Sequence, residues 1–322
     1  MNDVSSPVIA RSSPEAFPLV SLAIDRCLEL IRFGNIGSGM DQLFSRLDEW
    51  RRSLAKDQWK TIVETIRDHP IAHVLHECAI PARAFSRPRG YPGDAALIDL
   101  LYGTGEAAAS RSSHGVSNDI YEYLFVSPAA RAVRHRRKRL AELIDLAQSK
   151  NERATIVSLA AGHLREIELT QSYQLGVRRG RIIAVDHDPL SLAVINRDYV
   201  NLGVETIKAN VKEIVSGKLK ICQSELIYAA GLFDYLATPF GQVLTKSMFD
   251  GLTSGGHLLL ANFAPDIRDA GFMEAIMDWW LVYRDETEIV QLLDLVPAAE
   301  LKAINLYRDP ERQIVYLEAT KA

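Results

Sequence analysis

An α/β architecture is what this 322-residue sequence predicts: a mostly parallel sheet finished by an antiparallel hairpin and preceded by an N-terminal helical domain. Three observations carry that prediction. Up to about residue 150 the apolar residues recur at three- and four-residue steps, the period of amphipathic helices. Beyond it, short β-branched runs alternate with helical stretches, the pattern of repeated β-α units and a parallel sheet covered on both faces. The chain then closes with two β-rich runs about the turn Arg308-Asp-Pro-Glu311, which read as an antiparallel hairpin.

Taken in order, residues 1–13 are small and polar and read as a disordered tail, 14–150 as a helical lid or substrate domain, and 151–322 as the sheet domain. Leu19, Leu22, Ala23, Cys27, Leu30 and Ile31 share one side of a first helix that the segment 34–39, with its glycines, should end. Leu43, Leu47, Trp50, Leu54, Trp59, Ile62 and Ile66 continue the period as far as His69-Pro70. After a short helix to about Ala84 come Arg87-Pro-Arg-Gly-Tyr-Pro-Gly-Asp94, whose prolines and glycines demand a defined turn. Asp94 is placed to cap a helix starting at Ala95. Residues 105–116 read as a mobile loop, and a long helix from about Asn118 to Gln148 leads into the second half. Strands are expected at Thr155–Leu159, Ile182–Val185, Glu205–Ile207, Leu226–Tyr228, His257–Asn262, Ala303–Tyr307 and Gln313–Ala319.

Composition excludes several classes. A net charge of −4 gives the chain no electrostatic reason to seek nucleic acid, and no apolar run approaches the roughly 18 residues that span a bilayer. The N-terminus lacks the basic-then-apolar order of a secretory signal, so a cytoplasmic protein is expected. Cys27, Cys78 and Cys222 are scattered and odd in number, which suits buried free thiols better than a disulfide framework. His73, His76 and Glu77 with Cys78 could share a helix face, but no spaced partner pair stands out and no metal is expected.

Chemistry concentrates at the expected C-terminal ends of the strands, where α/β sheets bind ligands. The first strand runs into Ser158-Leu-Ala-Ala-Gly-His-Leu-Arg-Glu166, with Ala160, Gly162 and Leu164 where a consensus nucleotide loop has three glycines. Gly162 would let the backbone pass close to a ligand, with the N-terminus of a helix near Leu164 behind it. A dinucleotide needs the repeated glycines for its pyrophosphate; S-adenosylmethionine (SAM) has no phosphate, so the substitutions favour SAM. The second strand, Arg181-Ile-Ile-Ala-Val-Asp-His-Asp-Pro189, ends at Asp186, where a carboxylate can accept both ribose hydroxyls. Its other use is as a helix cap, a role that Asp188 before Pro189 fills better. After the third strand, Asn210 followed by Val211 could bond an adenine edge. The fourth strand delivers Ala230, Gly231, Asp234 and Tyr235.

From the first strand through the closing hairpin the second half resembles the class I SAM-dependent methyltransferases. Arg87-Pro-Arg-Gly-Tyr-Pro-Gly-Asp94, Ala229-Ala-Gly-Leu-Phe-Asp-Tyr235 and Trp279-Trp-Leu-Val-Tyr-Arg284 together resemble one bacterial subgroup of them. Its members make methyl esters of 3-hydroxy fatty acids used as signals, and it is similar to enzymes that cyclise SAM to azetidine-2-carboxylate. The resemblance implies SAM as cofactor, held by Ala160, Gly162, Asp186, His187, Asn210, Val211, Ala230, Gly231 and Asp234.

A carboxylate acceptor needs no base, because it is already an anion, whereas an alcohol or amine must lose a proton. His163, His187 and His114 are the candidate bases, each also readable as structural, so the lack of an obvious base favours a small or acyl carboxylic acid. Tyr235 could pack on the sulfonium, with Asn262 and Phe263 leaving the next strand nearby. Tyr91 and Arg89 would join them from the lid, Arg89 pairing with a substrate carboxylate or forming an internal salt bridge. Trp279, Trp280 and Tyr283 would line an apolar pocket or pack a last helix on the sheet. The run Arg131, Arg134, Arg136, Arg137, Lys138 and Arg139 reads first as a solvated face and second as a dock for an acidic acyl carrier protein. Two other functions stay open: a cyclase using Asn262, Tyr235 and Tyr91 to fold back the aminobutyryl chain, and a non-catalytic SAM-binding regulator. A nicotinamide dehydrogenase fits the missing glycines and the hairpin poorly.

Overall fold

A computed structural model describes residues 16–110 and 114–322. The tail expected over 1–13 lies outside the described residues, as do 111–113 of the loop expected over 105–116. The helices before the sheet are α1 (Ala16–Arg32), α2 (Ile36–Ser53), α3 (Lys56–Asp68), α4 (Pro70–Leu75), α5 (Ala79–Ser86), α6 (Ala95–Tyr102), α7 (Gly105–Ala109), α8 (Gly115–Phe125) and α9 (Pro128–Lys150). Two compact units result, each made of several stretches of the chain. The helical one takes the described residues to Pro92 with parts of Ser110–Val126 and Arg268–Trp280; the other takes Gly93–Ala109, Ser127–Ile267 and Leu281–Ala322.

In the helical unit α1 buries Val20, Ile24, Cys27, Leu28 and Ile31, while Leu19 and Leu22 face water, so the apolar stripe lies one step round from the expected one. Burial pushes the Cys27 thiol up to about 11, whereas Cys222 is exposed. Gly37 and Gly39 do not end a helix; they lie inside α2. A Cβ on Gly39 would stand 2.7 Å from Ile31 Cγ1 and 3.0 Å from the Cys27 carbonyl, so glycine is what lets α1 and α2 touch. Buried Glu274 accepts from Trp59 Nε1 (2.7 Å) and Arg51 Nε (2.9 Å). Asp278 collects Arg67 (2.6 Å), Arg87 and Trp280 Nε1 (2.9 Å). His76 is hydrogen-bonded to the Ile276 carbonyl at 2.8 Å.

The single long helix expected over 118–148 is two. Ser127 caps α9, accepting from the Ala130 N–H at 3.3 Å, and Pro128 occupies its first turn. Asp94 caps α6 as expected, accepting from the Leu97 N–H at 2.8 Å.

All seven expected strands are present: β1 (Thr155–Leu159), β2 (Arg181–Asp186), β3 (Val204–Lys208), β4 (Ser224–Ala229), β5 (Leu252–Phe263), β6 (Leu301–Arg308) and β7 (Ile314–Lys321). Their order is β3-β2-β1-β4-β5-β7-β6, parallel except where β7 runs antiparallel to β5 and β6. This is the mostly parallel sheet with an antiparallel C-terminal hairpin, preceded by helices, that the sequence predicts. Strand order reverses between β1 and β4, which makes their carboxyl ends the switch point of the sheet.

Between strands lie α10 (Gln171–Gln174), α11 (Pro189–Tyr199), α12 (Val211–Val215), α13 (Thr238–Asp250), α14 (Ala270–Ala275) and α15 (Glu286–Val290). No helix starts at Leu164; a 3-10 turn, Arg165–Leu169, follows β1 instead. The aromatic run 279–284 is not a helix either. Among the described residues no helix is long and apolar enough to cross a membrane.

Candidate active site

The loop after β1 keeps left-handed backbone at three positions of which one is glycine. Ala160, Gly162 and Leu164 have φ of 51°, 57° and 55°, so all three consensus positions are left-handed. Non-glycine residues resist that conformation by about 1–2 kcal/mol each. What holds it is Asp186 at the end of β2, which is only 4% exposed. Its Oδ2 accepts from the Gly162 N–H at 2.8 Å and its Oδ1 from the Asp188 N–H at 2.9 Å. Leu164 is buried, which fixes the far side of the loop. Asp186 thus has a job in the fold that the sequence did not suggest, and retains lone-pair positions for ribose hydroxyls. His187 is half exposed, with Nδ1 3.3 Å from Asp186 Oδ1. Asp188 is the helix cap, accepting from Leu190 and Ser191 N–H at 3.0 and 3.2 Å.

Asn210 caps α12. Its Oδ1 accepts from the Lys212 N–H (3.0 Å), while Glu213 reaches back to the Asn210 N–H (3.0 Å). The Asn210 Oδ1 is thus engaged within the chain, and Val211 is the half-buried first residue of α12.

Helix α6 packs on the β1 loop: a Cβ on Gly162 would meet that of Ala95 at 3.2 Å. Asp99, the one charge of α6, is within 2.8 Å of His163 Nδ1 and accepts from Arg165 Nε and Nη2 at 3.1 Å. Burial pushes Asp99 up, but the hydrogen bonds from His163 and Arg165 prevail and hold it below the ordinary carboxylate range. Arg165 also donates to Glu168, Asp198 and Tyr199. His163 is therefore a buried, oriented part of the loop.

At the end of β4, Asp234 is 3% exposed and its Oδ1 accepts from the Phe263 N–H at 2.7 Å. Burial pushes this carboxyl up to about 6, against that hydrogen bond and the charges of Arg136 and Arg284. Arg284, 1% exposed, donates to the carbonyls of Phe233 (2.8 Å) and Leu236 (2.5 Å) and to Asn262 Oδ1 (2.8 Å). Burial holds its guanidinium below the ordinary value. Asn262 spends its amide on the Phe263 and Val282 carbonyls (3.0 and 2.8 Å) and is fully buried. Both ends of the Asn262 amide are thus engaged within the chain. Tyr235, on the turn these groups support, is 38% exposed and stands at the sheet edge beyond Ala230 and Gly231. Arg89 and Tyr91 are half-buried members of the helical unit.

The basic run of α9 is not a solvated face. Arg131 pairs with Glu311 (2.9 Å), Arg134 donates to the Leu101 carbonyl (2.9 Å), and Arg137 binds Glu168 and stacks on Tyr102. Arg139 donates to Glu318 at 2.7 Å. Burial pushes Glu318 up, yet hydrogen bonds from His257, Tyr307 and Arg139 hold it at about 2. Lys138 remains exposed, and Arg136 is buried with Nη1 2.7 Å from the Ala230 carbonyl. Sequence reasoning missed Arg136 and the Asp99–His163–Arg165 cluster. The signal for Arg136 was its place between Val133 and Leu140, on the apolar stripe of α9.

No family model matches this sequence, and no curated protein does. Among solved structures, the chain is similar to a possible exported protein from Bordetella parapertussis, with TM-score 0.55 and 14% identity over 79% of this chain and 99% of that one. It is more loosely similar to magnesium protoporphyrin IX methyltransferase from Synechocystis PCC 6803 with bound S-adenosylhomocysteine, TM-score 0.48 and 12% identity over 75% and 98%. The first likeness is one of fold, and the second is too loose to carry argument.

Gly162→Ala should cost about 1–2 kcal/mol in denaturant melts, because φ is left-handed and Ala95 stands in the way. An unchanged midpoint would show that the loop does not need this glycine. For Asp234 the folded-state pKa lies above the ordinary 3.8, so the folded chain holds the proton more tightly. Its stabilising contribution is full below pH 3.8 and is lost as pH rises through about 6, roughly 3 kcal/mol for a shift of that size. Asp234→Asn, which keeps an acceptor for Phe263, should gain stability relative to wild type between about pH 4 and about pH 7. Urea melts at both ends measure it, and a constant difference would rule it out.

Proposed function

We propose that the chain is a SAM-dependent methyltransferase that O-methylates a carboxylic acid, a 3-hydroxy fatty acid or similar small acid. The observation that carries this reading is the left-handed β1 loop tied to the Asp186 carboxylate at the sheet's switch point. That arrangement suits a nucleoside ribose and lacks the glycines a pyrophosphate requires. The residues present fit SAM: Asp186 would accept its ribose hydroxyls, the β1 loop would pass its backbone beside the nucleoside, and Tyr235 would meet the sulfonium. When bound, SAM supplies an electrophilic methyl group for in-line displacement.

The chain's own part is alignment and exclusion of water. Arg284, Asn262 and Asp234 fix the turn that carries Tyr235, so its ring would be presented with little freedom. His163 is committed to Asp99, which favours an acceptor that arrives without a proton to lose. The commitment of Asn262 removes one of three polar groups that cyclisation of SAM would call on. With SAM as donor, the reaction belongs in the cytoplasm.

Incubation of the purified protein with SAM alone, then with 3-hydroxy acids, should yield S-adenosylhomocysteine only when acid is added, as read by mass spectrometry. Methylthioadenosine from SAM alone would make the protein a cyclase, and binding without any turnover a regulator. In calorimetric titration with S-adenosylhomocysteine, Asp186→Ala should lose about 1–3 kcal/mol of affinity through its charge-assisted hydrogen bonds to the ribose. Unchanged affinity in a folded variant would remove the ribose assignment.

A further inference from the structure

Among the described residues Arg136 is a buried cation with no ion-pair partner. Its side chain is 5% exposed, and its hydrogen bond is to a neutral acceptor, the Ala230 carbonyl, from Nη1. Its Nε is buried with no hydrogen-bond partner. Burying a guanidinium is costly unless a counter-charge and acceptors meet it. Two carboxyls feel its charge, and neither is hydrogen-bonded to it. Glu166 accepts from Tyr228 Oη at 2.6 Å, and Asp234 accepts from the Phe263 N–H. Burial pushes both acids up, the opposite of what a direct partner of Arg136 would show.

A second orphan lies within reach of the same charge. Tyr316, near the start of β7 and 1% exposed, has a hydroxyl with no hydrogen-bond partner. Both groups stand at the edge of the sheet where ligands bind. Arg136 sits against the end of β4, and Tyr316 pairs with Ala261 one residue before Asn262. Gly231, next along from Ala230, lies against the guanidinium: a Cβ there would stand 3.7–3.8 Å from its Nη atoms.

We propose that Arg136, with the Tyr316 hydroxyl as a second donor, binds a carboxylate of the ligand at the carboxyl ends of β4 and β5. The proposal rests on the SAM-dependent reading above and adds to it the residue that recognises an acid. A guanidinium fork suits a carboxylate. Two sources share that chemistry: the amino-acid carboxylate of the nucleoside, and the carboxylate of the acceptor.

The test is calorimetric titration of wild type, Arg136→Gln and Tyr316→Phe with S-adenosylhomocysteine, its methyl ester, and then a 3-hydroxy fatty acid and its primary amide. Arg136→Gln should lose roughly 10- to 100-fold in affinity for the carboxylate-bearing probe and little for its masked counterpart. Loss for S-adenosylhomocysteine but not its ester assigns the nucleoside carboxylate; loss for the fatty acid but not its amide assigns the acceptor. Equal loss for masked and unmasked probes, or none for either, overturns the proposal. If Arg136→Gln fails to fold, Tyr316→Phe removes only a hydroxyl and carries the same comparison. A selective loss there supports the proposal and an unchanged ratio defeats it. A wild type that binds neither nucleoside is a failure of the SAM reading itself, whereas one that binds acid and masked forms alike defeats only the carboxylate site.

Discussion

One carboxylate holds the ligand edge of the sheet together. Asp186 ends β2 beside β1 and is almost fully buried, so its oxygens must be satisfied from within. They take the N–H of Gly162 on one loop and of Asp188 on the next. Each is a charge-assisted bond worth about 1.5–3 kcal/mol, enough to offset left-handed backbone at Ala160 and Leu164. The loop conformation thus follows from strand order and one acid, where a consensus loop obtains it from glycine. Helix α6 can then lie against Gly162 and bring Asp99 to His163 and Arg165.

The other half of the edge is built on arginine. Arg284 gathers the carbonyls of the turn after β4 and the amide of Asn262, so that turn and the end of β5 move as one. Such a network divides residues near a site into those that touch a ligand and those that aim them. On the proposed reading Asn262 and Asp234 belong to the second group: the Asn262 Nδ2 donates to two backbone carbonyls and its Oδ1 accepts from Arg284, while the Asp234 Oδ1 accepts from the Phe263 N–H. On the same reading Tyr235, carried on that turn and part exposed, belongs to the first.

What the sequence made legible was whatever depends on period and local chemistry. Strands show as β-branched runs, and Asp94 and Asp188 announce their caps by standing just before helices. Ser127-Pro128 carried the same message for α9, but the apolar period on either side masked it. Pairing across the fold was less visible. A basic run looks alike whether it meets water or Glu311, Glu168 and Glu318, residues far along the chain. Arg136 was the exception that could have been found, because Val133, Arg136, Leu140 and Leu143 step by three, four and three along one buried face. A charge on an apolar stripe is either an error of the pattern or a site. The left-handed φ at Ala160 and Leu164 could not have been read, since it comes from a carboxylate two dozen residues away.

The carboxylate that Arg136 receives has a consequence for the chemistry. In methyl transfer to an acid, a carboxylate and a sulfonium lose their charges together, so a dry site favours the transition state over the separated ions. A guanidinium on the attacking carboxylate would stabilise the ground-state anion more than the neutral ester, and so would trade rate for position. A guanidinium on the nucleoside's own carboxylate carries no such penalty, because that group keeps its charge throughout. It would also leave the acceptor's negative charge balanced by the sulfonium alone, the pairing the reaction consumes. Economy of charge therefore favours the nucleoside as the partner of Arg136, and leaves recognition of the acceptor to shape and to the aromatic turn at Tyr235.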